Sequence, residues 1–166
     1  MVRREQWAGP GLRSGTGARG AARRGAALVE LVIVAPLLLL LVLGIMEFGV
    51  IMHDYIMLAQ GAREGARTAA IGHPVKDIQK RVMEASLPAV RRNMIQITEF
   101  NPGTGGWVAV GDKASGDKND VPADGIVRVT IKSFPHHMVT GNFFSWLPGY
   151  SNGALNLSAS LTMRRE

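Results

Sequence analysis

Twenty-one consecutive residues, Ala26 to Met46, are apolar but for one carboxylate, Glu30. No other feature limits the fold so strongly. At a rise of ~1.5 Å per residue, a helix of this length covers about 30 Å, the thickness of a bilayer's hydrocarbon core. A secretory signal peptide has a shorter apolar region followed by a small-x-small cleavage site. Here the run passes directly into Gly44-Ile45-Met46-Glu47-Phe48-Gly49. The segment 26–46 is therefore read as a transmembrane helix that stays in the mature chain.

The sequence pI of 10.3 would suit a nucleic-acid binder, but the charge is in the wrong place. Residues 1–25 hold Arg3, Arg4, Arg13, Arg19, Arg23 and Arg24 against Glu5 alone, so +5 of the total +6 lies in this basic leader. Arginines just before an apolar helix keep the N-terminus cytoplasmic and send the C-terminal part of the chain across the membrane. Nucleic acid is not an expected partner. The chain has no cysteine, which excludes disulfides, thiolate metal sites and a cysteine nucleophile.

Beyond the membrane segment, residues 47–72 keep a helical period. Phe48, Ile51, Tyr55, Leu58 and Ala62 recur at spacings of three and four, so one helix is expected from about Ala26 to about Ala70. Gly61 and Gly65 form a small-xxx-small pair. Such pairs let helices approach closely, either here against the chain's own domain or laterally against neighbouring subunits. Arg63, Glu64 and Arg67 make a charged face. Glu64 and Arg67 are spaced to pair, and an acid of another subunit is an alternative partner for a guanidinium.

Residues 73–166 form the remaining domain. His73-Pro74 breaks the helix, and Pro74 suits the first position of a second one, whose inner face is Val75, Ile78, Val82 and Ala85 and whose end falls near Leu87. Strands are expected at 94–100, 107–110, 126–133 and 155–163. The last alternates Leu155, Leu157, Ala159, Leu161 and Met163 against Asn156, Ser158, Ser160 and Thr162. One apolar face and one polar face imply an antiparallel sheet, and the long helix is its obvious cover. Residues 111–125 read as a loop. Phe143, Phe144, Trp146, Leu147 and Tyr150 cluster in a segment of no clear period, either as a lid on the sheet or as an exposed patch for a subunit or bilayer.

No catalytic constellation is visible. His53, His73, His136 and His137 lack metal-ligand spacing, and the adjacent pair His136-His137 reads as solvated. There is no phosphate-cradling loop and no nucleophile elbow. Asp112, Asp117, Asp120 and Asp124 share a loop with Asn119, but Lys113 and Lys118 interleave, so a solvated turn is expected rather than a calcium site. Neither an enzyme activity, a metal nor a cofactor is expected.

Glu30 lies one turn inside the apolar run. It either snorkels to the interface or awaits a positive partner from another chain. The order Arg23-Arg24-Gly25, then Ala26, then Glu30 at the fifth place resembles a type IV prepilin processing site. Together with Ala35-Pro36-Leu37, Gly44 to Gly49, Ala62 to Arg67 and the ending Met163-Arg164-Arg165-Glu166, it resembles the TadE-like family of tight-adherence (Flp-type) pilus proteins. The leader is long for that group. The resemblance is strong over residues 23–72 and loose elsewhere. It implies a pilin-like α+β fold and a non-catalytic minor pilin or pseudopilin. It further implies cleavage between Gly25 and Ala26 by a prepilin peptidase, and a new α-amino group at Ala26 that a neighbour's Glu30 neutralises. The partners implied are other pilin and pseudopilin subunits, an inner-membrane assembly platform and the lipid bilayer. The expected location is the bacterial cytoplasmic membrane as a single-pass protein, C-terminal domain outside, or the pilus itself. An unprocessed single-pass accessory or scaffold of a secretion machine is the alternative.

Overall fold

The computed structural model describes residues 16–111, 117–146 and 148–166, and of residues 16–24, 26 and 144 the backbone. Leader residues 1–15, Asp112 and Leu147 lie outside the described residues. The fold is α+β: one long N-terminal apolar helix, packed over part of its length on a small antiparallel sheet. The chain divides into two units, Met1–Leu43 and Gly44–Glu166.

Helix α1 runs from Thr16 to Ala70 and so begins inside the basic leader, ahead of the expected start. In the first unit it is an apolar surface with nothing on it. Thirteen Leu, Ile and Val side chains from Leu28 to Leu43 are exposed. Fully burying such a side chain is worth about 1.5–3 kcal/mol and each of these forgoes part of that in water, so lipid is the environment this segment fits. Length and composition allow α1 to cross a membrane. Pro36 lies within it and removes one backbone donor, a loss that membrane helices tolerate.

In the second unit α1 lays one stripe on the domain. Leu58, Ala62, Ala66 and Ala69 are buried on that stripe. The stripe is rotated from the expected one: Phe48 and Tyr55 are exposed, whereas Glu47 is buried and Asp54 half-buried. Ala70 ends the helix because Gly72 takes φ +84°, and the N–H groups of Gly72 and His73 reach back to the carbonyls of Ala69 and Thr68 at 3.1 and 3.3 Å. This double bond pattern with glycine in the left-handed region is a Schellman cap.

Helix α2, Val75–Ala85, buries Val75, Ile78 and Val82 as its period requires. Pro74 sits just outside it as the N-cap residue. Five strands complete the domain: β1 Ile95–Asn101, β2 Gly106–Ala109, β3 Ile126–His136, β4 Tyr150–Ser151 and β5 Ala154–Arg164. They form one antiparallel sheet in the order β2-β1-β3-β5-β4. Val127, Val129 and Ile131 of β3, fully buried, meet Leu58 of α1 and Ile78 and Val82 of α2 in the core. The chain's end is tied in as well. Glu166 N–H donates to the Ala70 carbonyl at 3.2 Å, and the Arg165 guanidinium donates to the Val121 carbonyl.

Two local features decide what lies where. The first is a bulge in β3, where the register with β5 slips between Ile131 and Phe134 and Ser133 takes φ 52°. The extra residue changes the phase of the strand. Odd-numbered residues face inward up to Ile131, and Phe134 and His136 face inward after it. The second is Asn152-Gly153, both at positive φ, joining Tyr150-Ser151 to Ala154-Leu155 as a two-residue hairpin.

Glu99 on β1 carries a pH prediction. Burial, and next the like charge of Asp120, raise its carboxyl above the usual range, and its Oε2 is buried without a hydrogen-bond partner among the described residues. The folded state thus holds this proton more tightly than the unfolded chain does. Its contribution favours folding as pH falls through the carboxylate range and penalises folding above it. Glu99→Gln is expected to raise the thermal midpoint at neutral pH, with the gain fading below the ordinary glutamate pKa. Melting curves across that range test it.

Candidate functional site

Gly25 is exposed and helical, and a Cβ built there meets nothing within 4 Å. The Gly25–Ala26 bond lies inside α1. Glu30 is exposed, four residues beyond Ala26 and thus on the same helical face. Among the described residues it has no hydrogen-bond or ionic partner. Its charge can be met by water, by headgroups or by another chain.

Gly61 and Gly65 turn toward their own domain. A Cβ at Gly61 would stand 2.6 Å from Ser86 Cβ and 3.3 Å from Ile131 Cδ1, and one at Gly65 2.3 Å from Val82 Cγ2 and 3.1 Å from Val129 Cγ1. The pair marks where α1 crosses α2 and β3 with backbone nearly touching side chains. Of the two uses of a small-xxx-small pair, the structure occupies the intramolecular one.

Arg63 and Arg67 are exposed and Glu64 is half-buried. The pair Glu64–Arg67 that the spacing permits is not formed, and none of the three has an ionic partner among the described residues. All three line a groove with Gln60, Ala85 and Met163. Glu64 and Arg67 also line a second groove of about 520 Å³ against α2, where Lys80 and Arg81 are already held by Glu84 at 3.9 and 3.5 Å. Asp77 of α2 lines the same groove and, like Glu64 and Arg67, has no ionic partner among the described residues.

The structure also builds a cluster that sequence reasoning missed. His136, 5% exposed, is not solvated. Its Nδ1 lies 2.7 Å from Asp54 Oδ2 and its Nε2 3.6 Å from Glu47 Oε1. A carboxylate only accepts, so Nδ1 carries the proton of the shorter contact. Glu47, 3% exposed, accepts the N–H groups of Val139 and Thr140, each at 3.1 Å. Two acids seven residues apart on α1 thus clasp the end of β3 and the loop after it. The available signal was Glu47 and Asp54 falling in phase with Ile51 and Leu58. The β3 bulge that turns His136 inward leaves no such mark.

Asp117, Asp120 and Asp124 do not converge. Asp117 pairs with Lys76, Asp120 accepts the Gly111 N–H at 3.0 Å, and Asp124 pairs with Arg164 at 3.2 Å. Among the described residues no group of three His, Cys, Asp or Glu is placed to hold a metal ion.

Fold and site together define a class of protein: a chain with one apolar helix long enough to cross a membrane and a small α+β domain packed on the C-terminal part of that helix. Over residues 25–67 the chain is similar to the family described as TadE-like protein, whose model matches there. The match runs from Gly25 to Arg67 and spans Ala26, Glu30, Gly61, Arg63, Glu64 and Gly65. Comparison with curated proteins and with solved structures gives no match.

Proposed function

We propose that the chain is a minor pilin or pseudopilin that works as a non-catalytic structural subunit in assembling a tight-adherence type pilus. The observation that carries this reading is the Glu30 carboxylate, unpartnered among the described residues, in the exposed apolar stretch of α1 and within the TadE-like match. In this reading residues 1–25 are a basic leader that stays cytoplasmic, 26–46 span the inner membrane, 47–72 continue the helix and 73–166 form the extracytoplasmic domain. A prepilin peptidase cuts between Gly25 and Ala26. The subunit then waits in the bilayer. A carboxylate at the centre of a membrane helix costs on the order of 2.5–3.5 kcal/mol, and less near its end. A sister subunit's α-amino group at Ala26 relieves that cost and sets the register. Arg63, Glu64 and Arg67 are the charges offered to other pilin and pseudopilin subunits and to the assembly platform.

Two substitutions test it. Gly25→Ala meets open space in a helix, so folding is not at issue. It is expected to leave the leader attached, read as the intact mass of membrane-extracted protein. Glu30→Gln is expected to be processed normally yet fall on the order of tenfold or more in sheared fibres, since ~1.4 kcal/mol is a factor of ten. Normal maturation of the first, or parental incorporation of the second, counts against the mechanism.

One observation favours the second reading, an unprocessed single-pass accessory or scaffold of a secretion machine. Helix α1 is continuous from Thr16 through the Gly25–Ala26 bond, so a peptidase must first unwind backbone already committed to helical hydrogen bonds. The mature N-terminal residue, Met1 or Ala26, separates the two readings.

A further inference from the structure

We infer that the loop after β3 is a membrane foot: Val139, Phe143 and Trp146 lie in the headgroup layer of the same bilayer that α1 crosses. This rests on the membrane-anchor reading above. The loop presents large apolar side chains outward, with Val139 70%, Phe143 54% and Trp146 73% exposed. Leaving them in water forfeits favourable burial, and a tryptophan ring with its single N–H suits the boundary between headgroups and hydrocarbon.

The loop's depth is fixed by Glu47. The apolar run ends at Met46, and its ~30 Å of helix is used up there, so the next residue stands at the hydrocarbon edge. Glu47 does not face lipid or water at that level. Its two carboxylate oxygens accept the N–H groups of Val139 and Thr140, and His136 covers it. The backbone carrying the exposed side chains is therefore pinned within hydrogen-bond reach of the residue that leaves the membrane. The loop does two things at once: it satisfies an acid that would be costly beside lipid, and it turns its apolar side chains outward at the same height. A lipid surface is the partner this placement fits, because large apolar side chains with one indole N–H among them match the boundary between headgroups and hydrocarbon at that depth.

The chain has no cysteine, so one introduced residue carries a spin label uniquely. Full-length Val139→Cys, and Ser145→Cys as a second loop site, are labelled and reconstituted in phosphatidylethanolamine–phosphatidylglycerol vesicles. Thr104→Cys, exposed in the β1–β2 turn, is the reference. The expected result is a ratio of oxygen to nickel-chelate collisions several-fold higher at the loop labels than at Thr104→Cys. If the protein floats with the vesicles but all three labels meet the nickel chelate equally, the foot is wrong and the anchor stands. If the loop labels are shielded from both relaxants and broadened by one another, a second copy covers the loop and the foot is wrong. If the protein does not float, the anchor fails and the foot fails with it.

Discussion

His136→Ala is expected to destabilise the sheet-bearing unit by about 3 kcal/mol, the low end for removing one partner of a buried charged cluster. The imidazole fills the space between Asp54 and Glu47, and neither acid has water to replace it fully. Melting of the full chain in detergent should show a midpoint lower by on the order of 10 °C. Asp54→Ala alone should cost less, and the pair of substitutions should cost well under the sum, because both remove the same 2.7 Å contact. Strict additivity, or a loss below ~1 kcal/mol, would mean that His136 is merely packed there.

The second large effect pairs one substitution at two glycines of α1. Gly65→Ala puts a Cβ 2.3 Å from Val82 Cγ2, and Val82 is fully buried in a helix that leaves a β-branched side chain essentially one rotamer. The helices must separate, at about 1–3 kcal/mol for overpacking, partly offset by alanine's better helix propensity. Gly49→Ala meets nothing within 4 Å, so only the propensity term acts and the variant should gain up to ~1 kcal/mol. Opposite signs in urea or thermal titrations are the expected outcome. Val82→Ala should recover part of the Gly65→Ala loss.

These residues also show how far a sequence carries. The alternation of Leu155 to Met163 names β5 and its inner face almost residue for residue, because a half-buried strand must alternate. The apolar period of α2 and the His73-Pro74 break after α1 are equally plain. The stripe of α1 is misread at Phe48 and Tyr55 for a physical reason. Hydrophobic period assumes that apolar residues face the core, but here the inward face carries Glu47 and Asp54 in contact with His136, and the outward face carries Phe48 and Tyr55. His136 is misread because one extra residue at Ser133 inverts the strand's phase, and nothing around Lys132-Ser133 announces a bulge. The Asn152-Gly153 turn could have been read, since that dipeptide is the strongest short hairpin signal. Of the site, the residues on the long helix were visible as a pattern. Which of them point outward became visible only with the domain folded against it.

The sheet's two outermost strands are four and two residues long. A strand that brief leaves its neighbour's far edge open: β4 pairs only with Ala154 and Leu155, so from Leu157 to Arg164 β5 has a strand partner on its β3 side alone among the described residues. That stretch presents a row of backbone amides and carbonyls to which an added extended segment can hydrogen-bond.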